Sequence, residues 1–394
     1  MKLLEYQAAS LFKNYGVPVQ KGVVIDWAAL KAGAAEKITE AGLAFPVVIK
    51  AQVQIGGRGK AGGVQFAENA EAAEKLCARM LGMDLRGFTV KELLVVEKKE
   101  IAREWYLSIM LDRYTKAPLL IFSPVGGMDI EETARTSPGR IARVPLNPME
   151  KQVPPYVIDY VLDKTGADKN CRAALLDLVQ KLYTLFFAYY TMLVEINPLA
   201  VDAQGALTAL DGKIEIDDNA LPFLPDINAW RDKLQEDADV VEARKSGFLF
   251  IPIEDDGSIG VMSNGSGMLM SCIDLISKKG MKVHAALDLG GGATAERIAE
   301  AVRIMLGRPK ITAVFICVFG GITRCDEVAR GACDAMRKSE SAGKQLILRI
   351  EGTNKDEAAR IVAESGLPIT TAEGIPNSVE AIFALHQKKG GGAQ

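Results

Sequence analysis

From about Gly247 to residue 371, short apolar segments alternate with amphipathic segments, and the apolar segment comes first in each pair. Each apolar segment ends in a loop of Gly, Ser, Asn or Thr and is followed by a helical pattern. A repeated strand–helix order of this kind predicts a doubly wound parallel sheet with helices on both faces. The predicted strands are residues 259–262, 283–287, 313–319, 346–350 and 368–371.

The loops after four of these strands are short and mostly polar or glycine-rich. In sheets of this type, ligands bind at the carboxyl ends of the strands, where the N-termini of helices point. The sequence therefore predicts a binding site built from these loops. They are NGSG (264–267), GGGAT (290–294), GGITR (320–324) and GTN (352–354).

The first 220 or so residues show helices, short strands and hairpins without strict alternation, which indicates a mixed α+β domain. Residues 221–246 contain two prolines followed by a charged helical stretch, a composition typical of a connector. A length of 394 residues suggests two or three domains. We place the boundary near residue 240, which gives domains 1–240 and 241–394.

Composition excludes several classes of protein. With 47 Lys and Arg against 50 Asp and Glu, the formal net charge of −3 argues against a protein that coats nucleic acid. The longest apolar stretch, 13 residues at 182–194, is too short to span a bilayer and predicts a core helix that runs into a buried strand. Six dispersed cysteines and an amphipathic N-terminal segment without targeting character indicate a cytoplasmic protein.

A glycine loop with basic side chains follows the predicted strand at residues 46–50. Its GxGxxG pattern (Gly57, Gly59, Gly62) is followed by the strand-like run GGVQF, so it lacks the helix that a dinucleotide-binding loop requires. It does not match a Walker A loop either. A strand, glycine loop and strand form a flap that can cover phosphates, with Lys50 and Arg58 supplying charge. Lys60 adds a further cation to this loop. The alternative to a phosphate-covering flap is a flexible basic hairpin.

The segment MLVEINPLAVDAQGALTALDGK predicts a β-hairpin that turns at residues 203–205. Glu195 and Asn197 would share one face, and Asp211 would lie directly across from Asn197 on the partner strand. Carboxylate and amide oxygens suit Mg²⁺, which usually takes its other ligands from water and phosphates. The alternative is a hairpin with solvated acids on one face.

No catalytic histidine or nucleophile can be argued from this chain. His284 lies within a predicted strand and His386 on the terminal helix, so structural or surface roles are expected for both. Cys325 lies at the start of a predicted helix, and two interpretations are open. The helix start could lower the pKa of its thiol, or the residue could simply pack in the core. If covalent catalysis occurs, the nucleophile is expected on another chain.

In the order of the chain, the motifs LLEYQA (3–8), GGRGKAGG (56–63), EINPL (195–199), GGGAT (290–294) and FGGITRCD (319–326) resemble those of the β subunits of the succinyl-CoA synthetase family. This is the family of nucleoside-diphosphate-forming acid–CoA ligases. The resemblance implies an ATP-grasp N-terminal half with two subdomains and a flavodoxin-like C-terminal half. It also implies an α subunit that carries a phosphohistidine and holds most of the CoA.

The same resemblance implies roles for individual residues of the N-terminal half. Lys50, Gly57, Arg58 and Gly59 would hold the nucleotide phosphates, and Glu97 and Glu104 would contact the nucleotide. The segment between these two acids is one residue shorter than the family pattern. Asn197 and Asp211 match the Mg²⁺ ligands, and Glu195 matches an acid that orients the phosphohistidine.

In the C-terminal half, Asn264 matches a substrate contact. Gly321, Ile322, Thr323 and Arg324 match the loop and helix start that receive the phosphohistidine and the acid. A helix N-terminus favours anions through its dipole and unpaired N–H groups, which is consistent with that role.

Three hydroxyls depart from the family pattern, because MSNGSG and GGITRC stand where MVNGAG and GGIVRC are expected. If Ser263, Ser266 and Thr323 face the acid, a substrate oxygen could pair with them. This makes malate or another polar acid the alternative to succinate. In the other interpretation, the hydroxyls cap helices or face away.

The predicted activity is reversible: ATP phosphorylates the partner's histidine, the phosphoryl group passes to a small carboxylic acid, and CoA displaces it. Succinate is the favoured acid, and general similarity favours ATP over GTP. The expected assembly is an αβ or α₂β₂ heteromer, with neither nucleic acid nor membrane as partner. A stand-alone ATP-grasp ligase and a nucleotide-sensing module are weaker alternatives, since neither explains GGITRCD beside a phosphate loop.

Overall fold

The computed structural model describes residues 1–338 and 343–390. The chain divides into two compact units, Met1–Gln235 and Glu236–Gln394. Within the described residues, no helix combines the length and the apolar composition needed to cross a bilayer.

The first unit is mixed α+β, as predicted. Its strands are β1 (Gly22–Asp26), β2 (Val47–Ala51), β3 (Val64–Ala67), β4 (Asp84–Leu85), β5 (Phe88–Thr89), β6 (Glu92–Glu97), β7 (Arg103–Asp112), β8 (Ala117–Ser123), β9 (Ala142–Pro145), β10 (Thr191–Val201), β11 (Leu207–Ala209) and β12 (Gly212–Ile216). Its α-helices are α1 (Glu5–Asn14), α2 (Trp27–Glu40), α3 (Ala70–Met80), α4 (Ile130–Thr136), α5 (Pro155–Thr165), α6 (Arg172–Ala188) and α7 (Pro225–Ala229).

Two larger antiparallel sheets organise this unit. The four-stranded sheet has the order β1-β6-β2-β3, and helices α2 and α3 pack on it around one apolar core. The six-stranded sheet has the order β11-β10-β7-β8-β9, with β12 also pairing with β10. Its core includes buried residues of α1, α5 and α6. Residues 182–194 do run from a core helix, α6, into a buried strand, β10.

The two predicted hairpins of the first unit are both present. Strands β2 and β3 pair in antiparallel fashion on either side of the glycine loop. Strand β10 turns back at residues 202–206, where Asp202 accepts the N–H of Gly205 and donates its own to Ala206. Its partner strand is broken into β11 and β12, which pair with different parts of β10.

The second unit contains all five predicted strands, within two residues at each end. Its strands are β13 (Leu249–Pro252), β14 (Ile259–Ser263), β15 (Val283–Asp288), β16 (Ala313–Gly320), β17 (Gln345–Gly352) and β18 (Ile369–Thr371). Its α-helices are α8 (Ala238–Lys245), α9 (Ser266–Lys278), α10 (Ala295–Leu306), α11 (Cys325–Lys338), α12 (Lys355–Glu364) and α13 (Gly374–Gly390).

The sheet of this unit has the order β13-β15-β14-β16-β17-β18, and β14 to β18 are parallel. The five parallel strands therefore follow the flavodoxin-like order, second-first-third-fourth-fifth. Apolar residues of α9 and α13 cover one face, and residues of α8, α10, α11 and α12 cover the other. The order reverses between β14 and β16, and ligands of such sheets bind at this point.

Strand β13 was not predicted, and it adds an antiparallel edge to the predicted parallel sheet. It pairs with β15 in antiparallel fashion, and its extension continues with the N–H of Ile253 donating to His284 at 2.9 Å. The backbone N–H groups of successive residues in an antiparallel strand point to opposite sides. Since the N–H of Ile253 points toward β15, the backbone nitrogen of Pro252 points away from the sheet, toward its open edge. Phe250 is buried while Leu249 is 57% exposed, so one face of this strand is covered.

Candidate functional site

Four charged side chains of the first unit meet beside the glycine loop, and we call them the Glu5 cluster: Glu5, Lys50, Arg58 and Asp211. The Lys50 Nζ donates to Glu5 Oε1 at 2.9 Å, and Arg58 Nη2 donates to Glu5 Oε2 at 2.7 Å. The same Arg58 nitrogen lies 3.0 Å from Asp211 Oδ2. Glu5 belongs to α1, Lys50 to β2 and Asp211 to the break between β11 and β12, so the cluster joins parts of both sheets.

The electrostatics of the two carboxylates in this cluster differ. Burial alone would raise the pKa of Glu5, but Lys50 and Arg58 outweigh burial and lower it. For Asp211, removal from water and then repulsion by Glu5 raise the pKa to about 6, although Arg58 acts against both. The side chain of Asp211 is 39% exposed, whereas that of Glu5 is 4% exposed. Glu5 is thus the firmly held anion, and Asp211 is the accessible one.

The glycine loop has the open surface that a phosphate flap needs. A Cβ atom added at Gly57 or Gly59 would meet no atom within 4 Å, and Gly57 has a φ of +68°, which favours glycine. Arg58 anchors the loop, because its Nη1 donates to the carbonyl of Ala51 at 3.0 Å. The loop therefore offers backbone to a ligand on one side while a buried cation holds it on the other.

Asn197 and Glu104 approach each other through Gly127. The N–H of Gly127 donates to Asn197 Oδ1 at 2.8 Å, and Asn197 Nδ2 donates to the carbonyl of Met128 at 3.0 Å. Gly127 has a φ of +73°, which favours glycine, and a Cβ there would lie 2.2 Å from Glu104 Oε2, so a larger residue would have to displace the Glu104 carboxylate. The carboxylate of Glu104 and the amide of Asn197 are therefore neighbours.

The predicted register between Asn197 and Asp211 is confirmed, because the N–H of Asn197 donates to the carbonyl of Asp211 at 3.3 Å. Their side chains nevertheless have different partners, since Asp211 pairs with Arg58. The two provide carboxylate and amide oxygens, the donors that Mg²⁺ prefers, and the accessible Asp211 fits such an ion. Among the described residues, no three His, Cys, Asp or Glu side chains form a metal cage, so such an ion would take further ligands from water and phosphate.

Glu195 does not share partners with Asn197. Its Oε2 accepts the hydroxyl of Tyr106 at 2.9 Å, and Tyr106 lies on the neighbouring strand β7. Burial, and then Glu195, raise the pKa of Tyr106. The neutral phenol therefore remains a donor that fixes the orientation of the carboxylate. For two of the predicted acids, Glu97 and Glu104, only backbone hydrogen bonds are seen in the described residues.

In the second unit, Asn264 lies at the reversal of strand order. Its side chain bonds the end of β16 twice, donating to the carbonyl of Phe319 at 2.9 Å and accepting the N–H of Phe319 at 3.1 Å. Residues 320–324 follow directly, with Gly321 exposed and Ile322 88% exposed. The predicted loops therefore do lie side by side at the carboxyl ends of β14 and β16.

Two of the three additional hydroxyls are engaged within the protein. Ser266 Oγ donates to Asp288 Oδ2 at 2.6 Å, and the buried Thr323 Oγ1 accepts the N–H of Gly292 at 2.9 Å. The third, Ser263 Oγ, is fully buried and finds no hydrogen-bond partner among residues 1–338 and 343–390. The hydroxyls of Ser266 and Thr323 thus bond neighbouring segments of the protein. This agrees with the interpretation in which they serve the structure rather than the substrate.

The guanidinium of Arg324 is directed to a neighbour on its own helix start. It donates to both carboxylate oxygens of the buried Asp326, at 3.1 and 2.6 Å, and Arg330 also bonds this carboxylate. Asn354 Nδ2 donates to Asp326 Oδ1 at 3.1 Å from the GTN loop. The charge of the Arg324 guanidinium is therefore shared with Asp326 in this structure.

The remaining candidates have structural positions. His284 lies within β15, and its Nδ1 contacts the carbonyl of Glu254 at 3.0 Å; His386 lies within α13. Cys325 begins α11 as predicted, but burial raises the pKa of its thiol. The interpretation of a lowered pKa is therefore wrong, and Cys325 is a packing residue.

Sequence reasoning missed Glu5, Tyr106 and Asp326 as parts of these sites. Glu5 lies within the LLEYQA motif and Asp326 within FGGITRCD, so the motifs marked their positions but not the partners of their side chains. Tyr106 carried no such signal, because its hydroxyl reaches Glu195 across the pairing of β7 with β10.

Comparisons with known proteins match both units. Residues 2–201 match the family model described as an ATP-grasp domain, and residues 262–379 match the one described as CoA-ligase. The chain is 40% identical over 377 residues to a protein of Pyrobaculum aerophilum, covering 94% of this chain and 96% of that protein. It is 38% identical over 394 residues to a protein of Desulfatibacillum aliphaticivorans, covering 98% and 100%. Both relatives carry the name succinate–CoA ligase [ADP-forming] subunit beta.

Among solved structures, the chain is similar to ATP citrate lyase from Methanothrix soehngenii, determined with citrate and coenzyme A. The TM-score is 0.74, with 15% identity, and the match covers 98% of this chain and 99% of that one. At this identity the similarity concerns the fold alone. It agrees with an ATP-grasp first unit and a flavodoxin-like second unit.

Proposed function

The chain belongs to the family of ADP-forming succinate–CoA ligase β subunits, and we propose that with an α subunit it joins succinate to CoA at the expense of ATP. ATP, a carboxylic acid and CoA would give ADP, phosphate and an acyl-CoA. The phosphoryl group would travel through a histidine of the α subunit, which would also hold most of the CoA. The phosphoryl group leaves ATP for the histidine, passes to the carboxylate, and departs as phosphate when the thiol attacks.

The observation that carries this proposal is the placement of cations and accessible anions around the glycine loop of an ATP-grasp unit. Lys50 and Arg58 lie within 3 Å of carboxylates there, and Gly57 and Gly59 leave the backbone open. Such a site suits the phosphates of ATP, with Glu97 and Glu104 proposed to contact the rest of the nucleotide. Phosphoryl transfer depends mostly on positioning and charge compensation, which these groups supply.

Asn197 and Asp211 are proposed to hold Mg²⁺, which when bound would offset the charge of the nucleotide phosphates. Asp211 would then exchange the guanidinium of Arg58 for the ion. The carboxylate of Glu195, fixed by Tyr106, is proposed to orient the partner's phosphohistidine. These residues belong to one unit, so they can serve one nucleotide.

In the second unit, Asn264 and residues Gly321, Ile322, Thr323 and Arg324 are proposed to receive the phosphohistidine and the acid. The start of α11 offers backbone N–H groups to an anion. Succinate remains the favoured acid, because Ser266 and Thr323 already bond other loops. Malate, or another polar acid, is the alternative that the unpaired Ser263 hydroxyl favours.

We further propose a cytoplasmic αβ or α₂β₂ heteromer. The exposed Ile322 and Phe319 at the ends of the loops would be surfaces that a partner covers. An isolated β chain would bind nucleotide without completing the reaction, because no histidine lies among its proposed site residues.

The deciding experiment is to purify this chain with its α subunit and to supply γ-labelled ATP, succinate and CoA. The expected result is label on the α subunit and CoA-dependent release of succinyl-CoA, with neither product from the β chain alone. Turnover of ATP by the β chain alone with an acid and an amine would instead identify a stand-alone ligase. Binding of ATP without labelling or exchange in the complex would identify a sensing module.

A further inference from the structure

Glu5 lies at the centre of the Glu5 cluster, yet neither the motifs nor the comparisons give it a role. It occupies the first turn of α1, and its side chain is 4% exposed. A buried carboxylate of this kind requires strong partners, and Glu5 has three. Gln52 Nε2 lies 3.4 Å from Oε2, in addition to the bonds from Lys50 and Arg58.

The start of α1 is held in place independently of these charges. The N–H of Leu4 donates to Gln7 Oε1 at 2.9 Å, and the N–H of Tyr6 donates to Gln52 Oε1 at 3.1 Å. The helix start is thereby fixed against the segment that follows β2. Glu5 consequently projects from a rigid base rather than from a mobile terminus.

The two carboxylates of the cluster differ in their exposure and in the cations that they bond. Asp211 receives only Arg58 among the cluster's cations, and it is the more exposed group. Glu5 receives both cations through separate oxygens, in a buried setting where charge-assisted bonds are strong. An incoming phosphate or ion can therefore replace the bond between Arg58 and Asp211 while the bonds to Glu5 persist.

From this arrangement we propose that Glu5 is a positioning residue for the nucleotide. It holds Lys50 and Arg58 side by side and thereby fixes the glycine loop against β2 before ATP arrives. Without its charge, two neighbouring cations would repel each other, and Arg58 would keep only Ala51 and Asp211 as partners. This inference rests on the proposed function, because it takes the ligand of the loop to be the phosphates of ATP.

The first test is kinetic and uses the assembled heteromer. Glu5→Gln keeps the shape of the side chain and removes its charge. It should raise KM for ATP roughly tenfold or more, the loss expected for a charge-assisted bond, and leave KM for succinate and CoA nearly unchanged. Glu5→Asp should give an intermediate KM for ATP. Glu74→Gln is the matched control, because Glu74 bonds the N–H of Ala35 at 2.8 Å and touches neither cation.

The second test does not depend on catalysis. Trypsin cleaves after Arg58 and Lys60, so cleavage of the nucleotide-free heteromer reports how firmly the loop is held. Glu5→Gln should increase cleavage at these two sites severalfold, and Glu74→Gln should not. Unchanged cleavage together with an unchanged KM for ATP would overturn the inference.

If the Glu5→Gln heteromer does not assemble, the test uses Glu5→Asp only. A wild-type KM for ATP together with wild-type cleavage by trypsin in that variant would contradict a positioning role. A wild-type heteromer that forms no acyl-CoA would refute the proposed function. The cleavage comparison would still show whether Glu5 holds the loop.

Discussion

Asn197 donates its backbone N–H to the carbonyl of Asp211 at 3.3 Å, which holds two oxygen-bearing side chains on adjacent chain segments. Their side chains bond different neighbours, Asn197 with the backbone of residues 127–128 and Asp211 with Arg58. A small ion that accepts oxygen from both would therefore exchange partners rather than fill a preformed cage.

The first prediction concerns this pair. Asn197→Ala combined with Asp211→Ala should abolish most labelling of the α subunit by γ-labelled ATP, because Mg²⁺ would lose both protein oxygens. For either single variant, the Mg²⁺ concentration that gives half-maximal labelling should rise roughly tenfold or more. Asp168→Ala is the control, since Asp168 pairs with Arg103 rather than with a residue of the proposed metal site. Labelling that persists undiminished in the double variant would remove the metal assignment.

The second prediction concerns the close approach of Gly127 to Glu104. Gly127→Ala should lower the stability of the first unit by about 1–3 kcal/mol, because φ is +73° and the new methyl would overlap Glu104. The displaced Glu104 and Asn197 should also raise KM for ATP. Gly166→Ala is matched, since Gly166 also has a positive φ of +68° and a Cβ there meets no atom within 4 Å. Thermal unfolding and nucleotide kinetics check both effects, and equal behaviour of the two variants would count against the contact.

The third prediction concerns Asp326, whose carboxylate ties Arg324, Arg330 and Asn354 together. Asp326→Asn should lower the free energy of unfolding by about 1–3 kcal/mol, because the buried network loses its negative charge and one of its two acceptor oxygens. Asp334→Asn, which removes an exposed carboxylate paired with Arg337, is expected to change it little. Denaturant unfolding of the assembled protein provides the measurement.

The same carboxylate should make the second unit sensitive to acid. Burial would raise the pKa of Asp326, but the hydrogen bonds from Arg324 and Asn354 lower it below the ordinary aspartate value. Its contribution to stability is therefore complete above about pH 4 and is lost as pH falls through the lowered pKa. Asp326→Asn should reduce this acid dependence, and an identical pH profile of the variant would contradict the assignment.

The fourth prediction concerns the acid. Ser266→Ala and Thr323→Val should leave the ratio of kcat/KM between succinate and malate nearly unchanged, because both hydroxyls bond other loops. Ser263→Ala should not destabilise the protein, because its hydroxyl has no partner to lose in the part of the chain that the structure describes. Succinate, malate, citrate and a sulfonated acid form the panel. A preference for malate that these substitutions narrow by about 5- to 150-fold would make succinate the wrong substrate.

Much of the second unit follows from sequence, because each buried parallel strand is a continuous apolar run ended by a glycine or polar loop. Strand β13 escaped prediction since it precedes the first strand–helix pair and contributes only four residues to an edge. The loops at the carboxyl ends were predicted for the same reason as the strands. The direction of the Arg324 guanidinium was not, because Asp326 two residues later resembles an ordinary acid at a helix start.

In the first unit, the glycine loop and the hairpin register could be predicted from local patterns. The role of Glu5 could not, since an acid in a first helical turn usually serves the helix dipole on a surface. Its partners, Lys50 and Arg58, are 45 and 53 residues away in the chain. Only tertiary structure reveals that this acid is buried between them.

The outward-facing Pro252 has a consequence for how copies of this chain behave when concentrated. An exposed strand edge is a template for aggregation, and a proline interrupts the ladder of donors that another strand would need. The opposite edge, β18, is three residues long. Neither edge strand of this sheet is therefore well suited to pair with a strand of another molecule. We expect that heteromers form through loops and helix ends rather than by extension of the sheet.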